Sequence, residues 1–272
     1  MITASIVLFH TKKELLDKVI ESYAPSAERK LYLIDNSKHQ MEYAKKISND
    51  YVDYIFNNQN LGYGKAHNIG IQKSIKEKSD YHIVLNPDIE FKPSVLDELC
   101  RYADEHQDIV YMLPKVLYPS GEIQYLCKLL PSPLDLIFRR FIAKFNIAKS
   151  RDEKYTLKNF GYDTIINPPC LSGCFMFMRT SVLKKYQITF DDRFFMYCED
   201  FDLIRRLHRV GKTIYYPKVF ILHNHKQESY RSWKMLKVHM TSAILYFNKY
   251  GWFFDFERKY MNKKILKEIK EL

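Results

Sequence analysis

Four stretches of this chain carry residue types and spacings that can do chemistry. In Phe190-Asp191-Asp192-Arg193-Phe194-Phe195-Met196-Tyr197-Cys198-Glu199-Asp200-Phe201-Asp202-Leu203, two adjacent carboxylates, Glu199 and Asp200, open a stretch with helical spacing. Carboxylates at a helix start are stabilised by the unpaired N–H groups and the macrodipole. The same placement fixes a general base, which must come within hydrogen-bond reach of the hydroxyl it deprotonates. Asn86-Pro87-Asp88 closes an apolar run with a stiff turn that aims a carboxylate outward, where a hard divalent cation can sit together with phosphate oxygens. Turn chemistry alone also accounts for these three residues. Asn60-Leu61-Gly62-Tyr63-Gly64-Lys65-Ala66-His67-Asn68-Ile69-Gly70 is a glycine-punctuated entry into a helix, suited to close backbone approach and to an anion at the helix N-terminus. His223-Asn224-His225 follows an apolar run and offers an imidazole to a metal or a pyrophosphate, although at this spacing only one ring faces a given side. Neither a GxGxxG nor a Walker loop, HExxH or zinc-ligand pattern occurs.

The elements that position these groups alternate in the first half between short β-branched or aromatic runs and amphipathic stretches, the pattern of βα units around a mostly parallel sheet. Strands are expected at 4–9, 31–34, near 54–56 and at 81–85. Helices are expected at 12–22, from the following polar stretch to about Ser48, at 63–76, and from after Pro93 to about His106. In open α/β sheets ligands bind outside the carboxyl ends of strands, and His10, Asp35-Asn36-Ser37 and Asn86-Pro87-Asp88 all fall there. The pattern loosens over 112–128, resumes helical spacing over 134–148, and passes through a polar loop at 150–159. A strand at 174–178, a short helix, a helix at 199–210 and two apolar runs at 213–216 and 219–222 follow.

The chain has 272 residues with 43 Lys+Arg against 32 Asp+Glu, a net charge of +11. Hydrophobic residues at 46% and aromatics at 15% supply a core and exclude a disordered chain. The basic excess points to phosphates, nucleic acid or an anionic membrane surface. Five cysteines without a CxxC pair fit a reducing cytoplasm. The N-terminus lacks the pattern of a signal peptide, and no apolar run is long enough to span a bilayer.

Taken together, ASIVLFH, LIDNS, NQNLGYGKAHNIGI, LNPDIEF, LSGCFMFMRTSVL, FDDRFFMYCEDFDLIRRLHRVG and LHNHKQES, in this order over about residues 3–229, resemble an inverting family 2 glycosyltransferase of the bacterial rhamnosyltransferase-like branch. The resemblance implies a GT-A fold, a Rossmann-like nucleotide-binding mixed sheet flanked by helices, over residues 1–225, with a C-terminal helical extension over 226–272. It implies a nucleotide-sugar donor, dTDP-rhamnose or a UDP-sugar, contacted by His10, Asp35, Asn60, Gly62, Asn68, Asn86 and Asp88. It implies Asp200 as base, with Glu199 orienting the acceptor or the base. Mg²⁺ or Mn²⁺ would be held by Asp88 with His223 or His225, His223 being favoured. Asn86 stands where a strict DxD motif has Asp, one carboxylate fewer for the cation.

A basic, tyrosine-rich nucleic-acid binder fits the composition but leaves the ordered acidic motifs unexplained, since carboxylates lining a groove repel a phosphate backbone. No nucleic-acid partner is therefore expected. A sugar nucleotidyltransferase would carry a basic glycine-rich loop near the N-terminus, and His10-Thr11-Lys12-Lys13 is no such loop. Residues 230–272 hold ten Lys+Arg and four acids, a net +6. There Trp233, Leu236, Met240, Ile244 and Phe247 form a helical stripe, and Trp252-Phe253-Phe254 follow Gly251. The expectation is a basic amphipathic segment in peripheral contact with an anionic membrane at the cytoplasmic face, serving a glycan or lipid-linked glycan acceptor. A helix packed on the catalytic domain with a solvated basic face is the other reading.

Overall fold

The computed structural model describes residues 1–136, 146–224 and 233–272. Strands β1 (Ile2–Leu8), β2 (Arg29–Asp35), β3 (Val52–Phe56) and β4 (Tyr81–Leu85) pair in parallel. The crossovers are α1 (Lys13–Tyr23), α2 (Glu42–Lys46) and α3 (Tyr63–Lys76). β1, β2 and β4 are buried almost throughout, which is why they read as unbroken apolar runs rather than alternating ones. β5 (Ile89–Glu90), α4 (Ser94–Glu105), β6 (Ile109–Leu117) and α5 (Asn146–Tyr155) follow. Then come β7 (Phe175–Arg179), α6 (Thr180–Tyr186), α7 (Glu199–His208) and β8 (Lys212–His223).

The strands form one mixed sheet in the order β3-β2-β1-β4-β7-β6-β8-β5. The chain leaves β1 toward β2 on one side and returns to β4 on the other, so the carboxyl ends of β1 and β4 flank a topological switch point. β7 runs antiparallel to both β4 and β6, and β5 antiparallel to β8. The mixed sheet with flanking helices is the architecture that the resemblance implies.

Several expected elements differ. Residues 109–117 form β6 although Pro114 lies inside it. The ladder with β8 shifts register there, pairing Pro114 with Tyr216 and Lys115 with Phe220. Proline is tolerated at such an irregularity, where the ladder is already interrupted. The same shift explains why the runs 213–216 and 219–222 are one strand, its middle bulged out. The expected polar loop at 150–159 is in its first part the end of α5, because Arg, Glu and Lys are good helix formers and polarity alone does not mark a loop. α2 ends at Lys46, two residues before the expected end. The expected helix at 134–148 includes residues 137–145, which lie outside the described residues.

The C-terminal helices α8 (Trp233–Tyr250) and α9 (Phe256–Lys270) pack on the sheet-bearing part of the chain. Tyr246, Phe247 and Met261 share a buried cluster with Phe194, Cys198 and Phe201. Arg205 of α7 clamps the junction. It donates to both oxygens of Asp255 at 2.6 and 2.7 Å and to Glu257 at 2.7 Å, while its guanidinium lies 4.0 Å over the Tyr250 ring. Asp255 also caps α9, accepting from the Arg258 N–H.

Candidate active site

The loops leaving the carboxyl ends of β1 to β4 are tied to one another by backbone and amide hydrogen bonds. His10 sits just past β1 in the left-handed region (φ 50°), with its N–H donating to Ser37 Oγ at 3.1 Å and its exposed ring 4.6 Å from that of Phe9. Asp35, at the end of β2, is fully buried and accepts from the Ser37 and Met41 N–H groups and from the Tyr54 hydroxyl. Asn36 donates to the Gly62 carbonyl at 2.9 Å, and Asn60 Oδ1 accepts from the Gly62 N–H at 2.9 Å.

Gly62 has φ +85°, and a Cβ there would lie 2.2 Å from the Phe195 carbonyl oxygen. That oxygen accepts from the Tyr63 N–H at 2.9 Å, so the glycine loop docks onto the segment that leads into α7. Asn68 extends the same docking: its amide donates to the Phe190 carbonyl and Asp192 and accepts from the Phe190 N–H. Asp35, Asn60, Gly62 and Asn68 thus have their polar groups engaged in holding these loops together.

Beside them opens a cavity of about 590 Å³ whose wall includes Asn86, Glu199, Asp200 and His223. Three segments far apart in sequence meet here for topological reasons. β4 lies against β7, so the Asn86 N–H donates to the Cys174 carbonyl. β5 pairs with the end of β8, matching Ile89 with His223, and the Asn224 N–H donates to the Asp88 carbonyl. Asp88 Oδ1 is therefore 3.5 Å from His223 Nε2. α7 brings the carboxylates, and Gly173 lies so close that a Cβ on it would sit 3.1 Å from Asp200 Cβ.

Glu199 and Asp200 have different surroundings. Glu199 is buried and its Oε2 has no hydrogen-bond partner among the described residues. Burial, then the charge of Asp200, pushes its pKa well above the ordinary carboxyl value. Asp200 is partly exposed on the cavity wall, and Oδ1 accepts from the Phe201 N–H at 2.9 Å. Burial raises its pKa too, but the Lys128 ammonium and backbone N–H groups oppose the rise. Environments that separate two neighbouring carboxyls assign them different protonation states. Here Glu199 holds a proton more firmly than Asp200, whose charge Lys128 and backbone N–H groups favour.

His223 is equally constrained. Gln124 donates its amide to the His223 carbonyl at 2.8 Å, which turns Oε1 toward Nδ1 at 2.9 Å and places a proton on Nδ1. Nε2 is left facing Asp88. Burial disfavours the charged ring, but Cys174 and the Asp88 carboxylate outweigh it and raise the pKa to about 10. His225 lies outside the described residues.

Four residues of this site had no assigned role in the sequence. Tyr63 has its hydroxyl within hydrogen-bond distance of Asn86 Oδ1 (2.9 Å) and the Gly173 carbonyl (2.8 Å), joining the glycine loop to the cavity. Gln124 and Lys128 fall where the pattern loosened. Gly173 carried a signal, being the small residue just before the apolar run 174–178.

The family model described as "Glycosyl transferase family 2" matches residues 6–187. Rhamnosyltransferase WbbL of Escherichia coli (strain K12) is 27% identical over 255 residues, covering 89% of this chain and 90% of that protein. The N-acetylglucosaminyl-diphospho-decaprenol L-rhamnosyltransferase of Mycobacterium tuberculosis (strain CDC 1551 / Oshkosh) is 28% identical over 180 residues, 62% of this chain and 57% of that protein. The match thus spans little more than half of the mycobacterial relative. Among solved structures, GalNAc-T7 with UDP, GalNAc and Mn²⁺ superposes with a TM-score of 0.62 at 15% identity, over 89% of this chain and 47% of that one. A crystal structure of S. aureus TarS gives a TM-score of 0.55 at 14% identity, over 91% of this chain and 65% of that one. These structural likenesses show a shared fold.

Proposed function

The chain belongs to glycosyl transferase family 2, and on that premise we propose that it moves rhamnose from dTDP-rhamnose, with inversion, to a hydroxyl of a lipid-linked glycan in bacterial polysaccharide assembly. The observation that carries this reading is a cavity lined by Asp200 together with Asn86 and His223. The choice of rhamnose is supported by two relatives named as rhamnosyltransferases, one of them aligned over most of its length. A UDP-hexose donor is the second reading, supported by the fold shared with structures holding UDP or UDP-GlcNAc.

Asp200 takes the proton of the acceptor hydroxyl as that oxygen attacks the anomeric carbon from the face opposite the nucleotide. Its charge is kept available by Lys128 and the Phe201 N–H. Protonated Glu199 adds no second negative charge beside the base and leaves its hydroxyl to orient acceptor or base. No covalent intermediate is required, and the product anomer is inverted. Tyr63 and Gly62 keep the donor loop in register with these groups.

Asp88 and His223 would hold Mg²⁺ or Mn²⁺, His223 after giving up the Nε2 proton that its raised pKa otherwise keeps there. Among the described residues no three His, Cys, Asp or Glu side chains converge on one point. The Asp88 carboxylate and, once deprotonated, the His223 Nε2 lie 3.5 Å apart, a donor pair that would suit a hard cation whose other ligands come from the substrate. Such an ion supplies charge neutralisation for the departing diphosphate. Gln124 fixes the ring from behind, as partners of ligating histidines do.

A screen of nucleotide sugars for hydrolysis and thermal shift tests the donor. The proposal expects the response to dTDP-rhamnose, and a response confined to UDP-sugars transfers the assignment to the second reading.

A further inference from the structure

The sequence puts membrane contact on the stripe Trp233, Leu236, Met240, Ile244 and Phe247 and on Trp252-Phe253-Phe254 after it. The structure divides that stripe, because Phe247 is buried in the cluster under α8. Trp233, Met240 and Ile244 of the stripe stay exposed, and a denser group of exposed aromatics lies at the α8–α9 turn and the start of α9. Phe253, Phe254, Phe256 and Tyr260 are 81%, 86%, 81% and 69% exposed. So many large aromatics in solvent within one turn mark an interaction surface rather than scattered surface residues.

The charge around this turn is separated in one direction. Both nearby acids are turned inward and neutralised, Asp255 by Arg205 and Glu257 by Arg205 and Arg209. α9 then carries Phe256, Lys259, Tyr260, Lys263, Lys267 and Lys270 along one helical face, while Met261 and Ile265 face the core. Lys259, Lys263 and Lys270 are exposed and make no ion pair among the described residues. The face is aromatic at its first turn and cationic beyond it, the combination that settles in a headgroup layer with aromatics at the acyl boundary and lysines on anionic lipid.

We infer that the α8–α9 turn and the outward face of α9 form a docking surface for an anionic lipid bilayer. α8 also lends His239 to the wall of the catalytic cavity, so the helix that ends in the docking turn is continuous with the site. The inference makes a lipid-linked acceptor useful, but its evidence and its test stand apart from the identity of the donor and acceptor.

The test is flotation of the full chain with vesicles of phosphatidylcholine alone or carrying one third phosphatidylglycerol, at low and high salt. The wild type is expected to float with the anionic vesicles and to be released by salt. The variant Phe253→Ser/Phe254→Ser/Phe256→Ser is expected to lose at least about tenfold in binding. Lys259→Glu/Lys263→Glu is expected to lose the preference for anionic lipid. All three changed aromatics are exposed, so the first variant keeps wild-type thermal stability and donor binding. Equal binding by wild type and aromatic variant, or no preference for anionic vesicles, overturns the inference. So does a solution dimer that the aromatic substitutions dissociate, since the turn would then meet a second copy of the chain. Transfer to a soluble glycan separates the two accounts: it fails if the catalytic reading is wrong and is unchanged in the aromatic variant.

Discussion

At the residue scale, the division of labour between Glu199 and Asp200 makes a prediction that adjacency alone does not. If Glu199 is protonated, Glu199→Gln keeps the charge state of the pair. Its acid limb in kcat against pH should therefore stay within about half a pH unit of wild type, with activity reduced less than about tenfold. A limb displaced much further would show that Glu199 carries the charge. For the cation, Asp88→Ala should abolish Mn²⁺-dependent strengthening of nucleotide binding, and calorimetry with and without Mn²⁺ reads this directly. The candidate residues that the structure brings to one place, Glu199, Asp200, Asn86, Asp88 and His223, stand out in the sequence because each sits in a short local pattern: the paired acids, the Asn-Pro-Asp turn, the histidine after an apolar run. Tyr63, Gln124 and Lys128 do not. Their roles arise from contacts across the sheet, and nothing in local spacing distinguishes a tyrosine that reaches Asn86 and Gly173 from one packed in the core.

At the element scale, the donor loop depends on a backbone that only glycine adopts cheaply. Gly62→Ala meets both a positive φ and the Phe195 carbonyl, and should cost about 1–3 kcal/mol in urea unfolding while weakening nucleotide binding. Beneath that loop, a buried polar chain links β1, α3 and β4. Ser5 Oγ lies 2.8 Å from His67 Nδ1 and 2.9 Å from His82 Nε2, and Thr3 Oγ1 lies 2.9 Å from His82 Nδ1. Burial lowers the His82 pKa to about 3, and burial together with His82 lowers that of His67 well below 6.5. Both native values lie below the unfolded one, so their contribution to stability is complete above about pH 6.5 and is lost as pH falls toward 3. Thermal unfolding followed over this window should show Tm falling with pH, and His82→Gln should flatten the fall. The helix 63–76 and the strand 81–85 were legible to the residue, because glycine and proline punctuate them and their patterns are unmixed. β6 and the single long β8 were not, because a proline and a bulge break a strand's sequence signal while the tertiary ladder continues around them.

At the scale of the whole molecule, the C-terminal helices and the sheet are joined through a buried charge cluster. Arg205→Ala leaves Asp255 buried without its partner and should cost about 3–5 kcal/mol, seen as a large drop in Tm. The net charge of +11 divides into parts accordingly. Asp255 and Glu257 of the tail face inward on Arg205 and Arg209, Glu271 pairs with Lys267, and Lys259, Lys263 and Lys270 of α9 face out. Among the described residues no helix is long and apolar enough to cross a membrane. The family and the fold were legible from ordered motifs over most of the chain. Which aromatics of the tail are buried was not, since α8 is amphipathic on both readings and only packing against Phe194 and Phe201 chooses between them. Asp200, which lines the shared cavity, is proposed as the base of an inverting sugar transfer. Steady-state transfer and donor affinity measured side by side for Asp200→Asn test that role most directly. kcat is expected to fall by about 10²–10⁴ with donor Kd nearly unchanged, and near-wild-type turnover in this variant would remove Asp200 from the role of base.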